Sequence, residues 1–345
     1  MASIDCRAGA DDLRIHDKLQ TNIKEGHLMA GTDSRSPITR AIDLESVRFS
    51  APDLDKMREF LTDFGMIEVA GSDDVLRMRG TGDVPFVHET VRGDAGFARL
   101  SLRVPGLADL EALAKVEGVA IEDAEGVGGG HRVLLRDPDG FEVEAIAGRK
   151  RAEVLPDMPT SPWNVAARRE RHGVAKRIPA RAAQVVRLGH VVLGVSDMTK
   201  TWAWWQSRFG LLVSDAVRAP NGDLAALFIR CDRGSEPVDH HTLNFASVPG
   251  MPPKFHHAAF EVADFDDLMV GSQYLETKGY RHDWGVGRHI LGSQVFDYWR
   301  DPWGHRVEHW TDGDLFDASV PANVTDLPTM LGHQWGPAAP ADFVS

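Results

Sequence analysis

The sequence predicts an α+β fold of two tandem domains, each built from two βαβββ modules. Three observations carry that prediction. The chain has 345 residues, about two domains at roughly 150 residues each. Residues 44–66, LESVRFSAPDLDKMREFLTDFGM, and 188–211, LGHVVLGVSDMTKTWAWWQSRFGL, share a short alternating strand, a helix start and an amphipathic helix ending at Phe-Gly. Residues 132–146, RVLLRDPDGFEVEAI, and 296–310, FDYWRDPWGHRVEHW, share an Arg-Asp-Pro-x-Gly turn between two strands.

The elements follow in order. Residues 1–39 are polar and read as an N-terminal extension. The first domain spans 40–148. Asp53 caps its first helix and Gly65 ends it. A second strand-helix unit begins at FARLSLRVPGLADLEALAK, residues 97–115. Residues 149–184 are rich in Arg, Pro and Ala without an apolar period, and read as a linker. The second domain spans 185–312, with Asp197 and Gly210 repeating the cap and stop. Its second unit begins at FHHAAFEVADFDDLMVGSQYLETKG, residues 255–279. The tail, 313–345, is rich in Pro, Ala and Asp and reads as surface loop. Its segment GHQWGPAAPADF either packs on the surface or folds over the mouth of a site.

Composition narrows the class. Hydrophobic residues make up 43% and charged residues 26%, the balance of a soluble globular protein. The formal charge is −13, so there is no generic electrostatic reason to bind nucleic acid or an anionic membrane. No apolar run approaches the roughly 18 residues needed to span a bilayer. The N-terminus lacks the apolar core of a signal peptide. Cys6 and Cys231 are the only cysteines, too few for a disulfide framework or a cysteine zinc site. A cytoplasmic protein with a small-molecule partner is expected. The 15 histidines, several clustered in the second half, are out of line.

The repeats become informative where they fail to match. Their alignment sets His190 against Ser46, His257 against Arg99, and Glu308 against Glu144. Only the second half can assemble two histidines and a carboxylate. That donor set suits a divalent metal with open coordination positions, most characteristically non-haem Fe(II). Strand alternation supports it. Val191, Leu193 and Val195 belong under the helix, which turns His190 to the cavity. His256, Ala258, Phe260 and Val262 form the other strand's apolar face, which turns His257 to the cavity. His256 is then a packing or hydrogen-bonding residue.

A signature lies in the same half: Gly287-Arg-His289, Tyr298, Asp301-Pro302-Trp303-Gly304 and Glu308. With these residues the chain resembles the type I extradiol ring-cleaving catechol dioxygenases of the vicinal oxygen chelate superfamily, over about residues 40–312. The resemblance implies a C-terminal domain that holds iron in a βαβββ barrel and an N-terminal, metal-free copy. It implies His190, His257 and Glu308 as iron ligands and His241, in DHHTLNF, as an acid/base group beside the metal. His241 adjoins His240, and an exposed loop pair is the plainer alternative. His289 would hydrogen-bond a substrate oxygen, and Tyr298 would lie beside the substrate hydroxyl that stays more protonated. The N-terminal equivalents of Tyr298 and His289 are Leu134 and Glu125, and Glu144 is expected to pair with Arg99 or another cation. One position departs: Asp297 stands where the family has an apolar residue, and alternation turns it away from Tyr298 into packing or an ion pair.

The implied reaction is extradiol (meta) cleavage of a catechol-type aromatic by O2, giving a muconic-semialdehyde-type product with no external reductant. The implied cofactor is Fe(II), with Mn(II) accepting the same donors, and the implied assembly is a homo-oligomer. Three rivals use the same modules. A glyoxalase-type isomerase would draw ligands from both halves, where Ser46 and Arg99 stand instead. A 4-hydroxyphenylpyruvate-dioxygenase-like enzyme would bind a 2-oxo acid and not need His241 and Tyr298. A metal-free binding protein of the bleomycin-resistance kind would not require the triad.

Overall fold

A computed structural model describes residues 36–156 and 162–343. The N-terminal extension read at 1–39 therefore lies almost wholly outside the described residues. The first half runs β1 (Asp43–Ala51), helix Leu54–Asp63, β2 (Ile67–Ser72), β3 (Val75–Arg79) and β4 (His88–Arg92). It continues with β5 (Gly96–Arg103), helix Leu107–Glu117, β6 (Glu122–Asp123), β7 (His131–Arg136) and β8 (Glu142–Ala147). One eight-stranded sheet results, in the order β2-β3-β4-β1-β5-β8-β7-β6. In each module the first strand lies parallel to the last, β1 to β4 and β5 to β8. A parallel pair needs a long crossover, which the helix and two intervening strands supply. The modules join through β1 and β5, antiparallel at the centre.

The second half repeats this with β9 (Val185–Gly194), helix Met198–Phe209, β10 (Leu212–Arg218), β11 (Leu224–Arg230), a short β12 (Val238–Asp239) and β13 (Leu243–Ala246). Then come β14 (Lys254–Val262), helix Phe265–Thr277, β15 (Arg281–His289), β16 (Val295–Arg300) and β17 (Arg306–Thr311). The registers of the halves correspond. Ser46 faces Ser101 as His190 faces Ala259, and Ser101 faces Glu144 as Ala259 faces Glu308. Leu134 likewise faces Glu144 as Tyr298 faces Glu308.

Local chemistry explains the element ends. The Asp53 carboxylate accepts from the Asp55 and Lys56 amides, and Asp197 accepts from Lys200. Gly210 ends its helix at φ +61, a left-handed conformation that glycine adopts without a Cβ clash. In the hairpin turns, Asp137 accepts from the Asp139 and Phe141 amides, and Asp301 from those of Trp303 and His305.

The tail differs from a surface loop. It contributes β18 (Leu315–Phe316), β19 (Asn323–Asp326), helix Leu327–Leu331 and β20 (His333–Trp335). β19 adds parallel to β10 and β20 antiparallel to β15, so the ten-stranded sheet reads β19-β10-β11-β13-β9-β14-β17-β16-β15-β20. Both outer strands of the repeated modules carry unpaired backbone groups, and the tail covers them. These pieces are too short for a hydrophobic period to reveal.

The halves share one apolar core that includes Phe60, Leu100, Trp205 and Phe260. Phe64 stacks on His309 with ring centroids 3.7 Å apart, and His309 Nε2 donates to the Phe64 carbonyl at 2.7 Å. Asp63 accepts hydrogen bonds of 2.9 Å from the hydroxyls of Tyr274 and Tyr280. These contacts press the first helix of one half against the second module of the other.

Candidate active site

β9, β14 and β17 are adjacent in the sheet, and Ala259 on the middle strand faces His190 on one side and Glu308 on the other. Side chains two positions apart on a strand share a face, so His257 joins them. Ala259 itself is small and leaves the space open. Gly189 matters here too: a Cβ would stand 2.4 Å from the Trp310 ring, so only glycine lets β9 lie this close beside the tryptophan.

The donor atoms converge. His190 Nε2 lies 3.1 Å from Glu308 Oε2, His257 Nε2 lies 3.3 Å from the same oxygen, and the two Nε2 atoms are 3.3 Å apart. These three residues form the one metal-capable group of His, Cys, Asp or Glu found among the described residues. Donors about 2.1 Å from a shared divalent ion and at right angles to one another lie about 3.0 Å apart. The observed spacing fits such a face. All three side chains are buried, and Glu308 Oε1 and His190 Nδ1 have no hydrogen-bond partner in the described structure. A buried carboxylate without a cation is strongly disfavoured. Burial accordingly pushes the Glu308 carboxyl up, against the opposing influence of His190. It holds the His257 imidazole well below its usual range, in the neutral form that ligates metals. The residues fit a divalent cation.

A bulge opposite β9 between Phe255 and His257 breaks the alternation, so His256 also reaches the cavity wall. Its Nδ1 lies 2.6 Å from His257 Nδ1, and its Nε2 lies 2.7 Å from the Phe343 carbonyl. A His257 with its lone pair on Nε2 donates from Nδ1 to His256, and Arg306 Nη1, 2.7 Å from His256 Nε2, donates to the same Phe343 carbonyl at 2.9 Å. His256 is thus the hydrogen-bonding residue that alternation suggests, set at the wall by the bulge.

His241 and His240 are both buried, not an exposed loop pair. The His241 ring lies 4.2 Å from that of His190, and burial, then neighbouring histidines, keep it well below the usual imidazole range. Its Nδ1 lies 3.1 Å from His240 Nδ1, while His240 Nε2 lies 2.6 Å from Asp215 Oδ2. Asn323 of β19 donates to the other Asp215 oxygen at 2.7 Å. A proton held between His240 Nε2 and Asp215 leaves His240 Nδ1 to accept from His241, and leaves His241 Nε2 free as a base. Tyr298 and His289 meet at 2.9 Å between hydroxyl and Nε2. Burial, then the Glu308 charge, push the Tyr298 phenol well above its usual value, and burial lowers His289 to about 3. Both groups are therefore neutral near pH 7.

His190, His241, His256, His257, His289 and Tyr298 line a cavity of about 290 Å³. Several of its other walls carried no sequence signal. Trp284 stacks parallel to Tyr298 with centroids 5.6 Å apart, and Phe343 meets Tyr298 edge-on at 5.1 Å. Leu327, Met330 and Leu331 come from the tail helix. Asn244 follows His241 by three positions, and its alternation with Ala246 on β13 was the one available hint.

The equivalent place in the first half is filled with charge. Glu144 accepts from the Ser101 hydroxyl and pairs with Arg132 at 3.3 Å and Arg99 at 3.7 Å. Guanidinium groups stand where a metal would, as expected for Glu144.

Asp297, the departure from the signature, is fully buried and accepts from Trp299 Nε1 at 2.6 Å. It also pairs with His282 at 2.7 Å, and that bond raises the His282 imidazole above 6.5 against the effect of burial. A raised folded-state value means the stabilisation is complete below 6.5 and fades as pH rises through the folded value. Asp297→Asn is expected to lower Tm by a few degrees at about pH 5.5 and by less at about pH 9. Thermal melts across that range check it; equal losses at both ends would remove the ion pair from the account.

Comparison with known proteins places this architecture. Residues 187–309 match the Glyoxalase/Bleomycin resistance protein/Dioxygenase superfamily. It is similar to Metapyrocatechase 2 of Cupriavidus necator, 29% identical over 311 residues that cover 87% of this chain and 91% of that one. Its fold is shared with homoprotocatechuate 2,3-dioxygenase from Brevibacterium fuscum, with TM-score 0.73 at 18% identity over 91% of this chain and 94% of that one. It is also shared with a Mn(II)-bound glyoxalase from Novosphingobium aromaticivorans, with TM-score 0.71 at 22% identity over 88% and 93% of the respective chains. No described helix is long and apolar enough to cross a membrane.

Proposed function

We propose that the chain is an extradiol dioxygenase that opens the ring of a catechol-type aromatic with O2, next to the bond between its hydroxylated carbons. Its cofactor is non-haem Fe(II) held by His190, His257 and Glu308, a donor set that Mn(II) also accepts. The observation that carries the reading is the buried cluster of three donors facing a cavity that also holds His241, His289 and Tyr298. Metapyrocatechase 2 supports it at the level of reaction class.

Bound Fe(II) supplies positive charge and open positions for the catechol oxygens and for O2. The protein's own groups do the rest. Neutral His241 accepts a proton from a catechol hydroxyl at Nε2 and can return it to the cleaved product. The Asp215–His240 pair behind it fixes which nitrogen is available. Tyr298 and His289, tied at 2.9 Å, present hydrogen-bonding atoms to the second substrate hydroxyl and orient the ring. Trp284, Phe228 and Phe343 keep the cavity apolar and exclude water. Both atoms of O2 enter the product, so no reductant is consumed.

In this reading residues 40–148 are a metal-free copy in which Arg99 and Arg132 neutralise Glu144. The protein works in the cytoplasm as a homo-oligomer. The test is anaerobic reconstitution with Fe(II), followed by monocyclic and bicyclic catechols and air. A yellow ring-fission product is expected from at least one. No product from any, with consumption of a 2-oxo acid instead, would contradict the proposal.

A further inference from the structure

The cavity is larger than a catechol requires, and the surplus has a definite chemistry. An apolar cavity of about 150 Å³ holds one benzene ring, so the 290 Å³ here leaves room for roughly a second ring or a short chain. His190, His256, His257, His289 and Tyr298 on the strands of the repeated modules, His241 just before β13, and Asn244, Ser247 and Gln294 make up the polar lining. The further lining comes from outside those strands: Leu327, Met330 and Leu331 of the tail helix, Val248 and Pro249 after β13, and Ala219 after β10. Among the described residues no arginine or lysine lines the cavity. Arg306, whose Nη1 lies 2.7 Å from His256 Nε2 behind the wall, is paired with Asp283 and donates to the Phe343 carbonyl.

These facts bear on the part of the substrate that does not react. A carboxylate buried against Leu, Met, Val and Pro would lose its hydration with no cation to replace it. An alkyl or aryl group gains from the same transfer, by roughly fourfold in affinity per buried methylene. An unsubstituted catechol would leave that wall without a partner.

We propose that the substrate is a catechol bearing an uncharged apolar substituent, alkyl or aryl, which lies against the tail helix Leu327–Leu331. This rests on the extradiol reading above. The tail then sets specificity: the helix between its two edge strands also supplies the wall that selects the substituent.

The test uses the Fe(II)-loaded full chain with catechol, propylcatechols substituted beside or opposite a hydroxyl, 2,3-dihydroxybiphenyl and 3,4-dihydroxyphenylacetate. The kcat/KM of the best apolar-substituted catechol should exceed that of catechol at least tenfold and that of the carboxylate at least a hundredfold. Anaerobic titration followed by tryptophan fluorescence, for which Trp284 in the wall is a reporter, should give the same order of Kd. Met330→Lys should shrink the ratio of apolar to carboxylated substrate at least tenfold. That ratio is read within one preparation and is independent of iron loading. Equal or better cleavage of catechol or the carboxylate by the unaltered protein would overturn this inference while leaving extradiol cleavage intact. Cleavage of no catechol at all would overturn both.

Discussion

His257→Ala is expected to abolish tight metal binding, with the Fe(II) affinity falling by at least about a hundredfold and ring cleavage falling with it. The reason is geometric. His257 Nε2 is one of three donor atoms within 3.3 Å of one another, and alanine at that position leaves His190 and Glu308 alone at the end of a buried cavity. Two donors cannot define a coordination face, and the buried Glu308 carboxylate loses the cation that offsets its burial. Metal analysis after anaerobic reconstitution reads the result, with circular dichroism to establish that the fold is retained. Ser46→Ala, at the equivalent place in the first half, should leave the iron content at one per chain. If iron survives the first substitution, the ligand assignment is wrong.

His241→Ala is expected to separate metal binding from turnover. The ring of His241 lies beside that of His190, but His241 is not part of the donor cluster, so iron should load normally. Turnover should fall by about 10²–10⁴, the usual worth of a positioned acid/base group. The loss should appear in kcat more than in KM, because the return of the proton to the cleaved product follows binding. Asp215→Asn should give a smaller loss of the same kind, since it acts only through His240 on the orientation and tautomer of His241. A His241→Ala protein that loses iron and activity together would make His241 a structural or ligand residue instead.

Much of this molecule was legible before any coordinates because the chain carries its pattern twice. The Arg-Asp-Pro turns fixed the registers of β7 with β8 and of β16 with β17, and one alignment then carried Ser46 to His190 and Arg99 to His257. Tandem copies place differences as surely as likenesses, which is how the donor set stood out. What could not be read was either irregular or distant. The bulge at His256 breaks a two-residue period by one position. The Asp215–His240 and Asn323–Asp215 contacts join residues 25 and 108 positions apart, and the Phe343–His256 contact spans 87. The tail has no hydrophobic period because its strands are two to four residues long and its helix five, so its role at both sheet edges and in the cavity wall is purely tertiary. Asp297 was legible only as an exception; its pairing with His282 and Trp299 needed the fold.

Extradiol cleavage at the site in the second half is tested most directly by oxygen stoichiometry. Protein reconstituted with one Fe(II) per chain, mixed with a limiting amount of an alkyl- or aryl-substituted catechol in aerated buffer without reductant, should consume one O2 per catechol as the ring-fission absorbance rises. Oxygen uptake without ring fission, uptake that needs an added reductant or a 2-oxo acid, or full turnover by His257→Ala protein would contradict it.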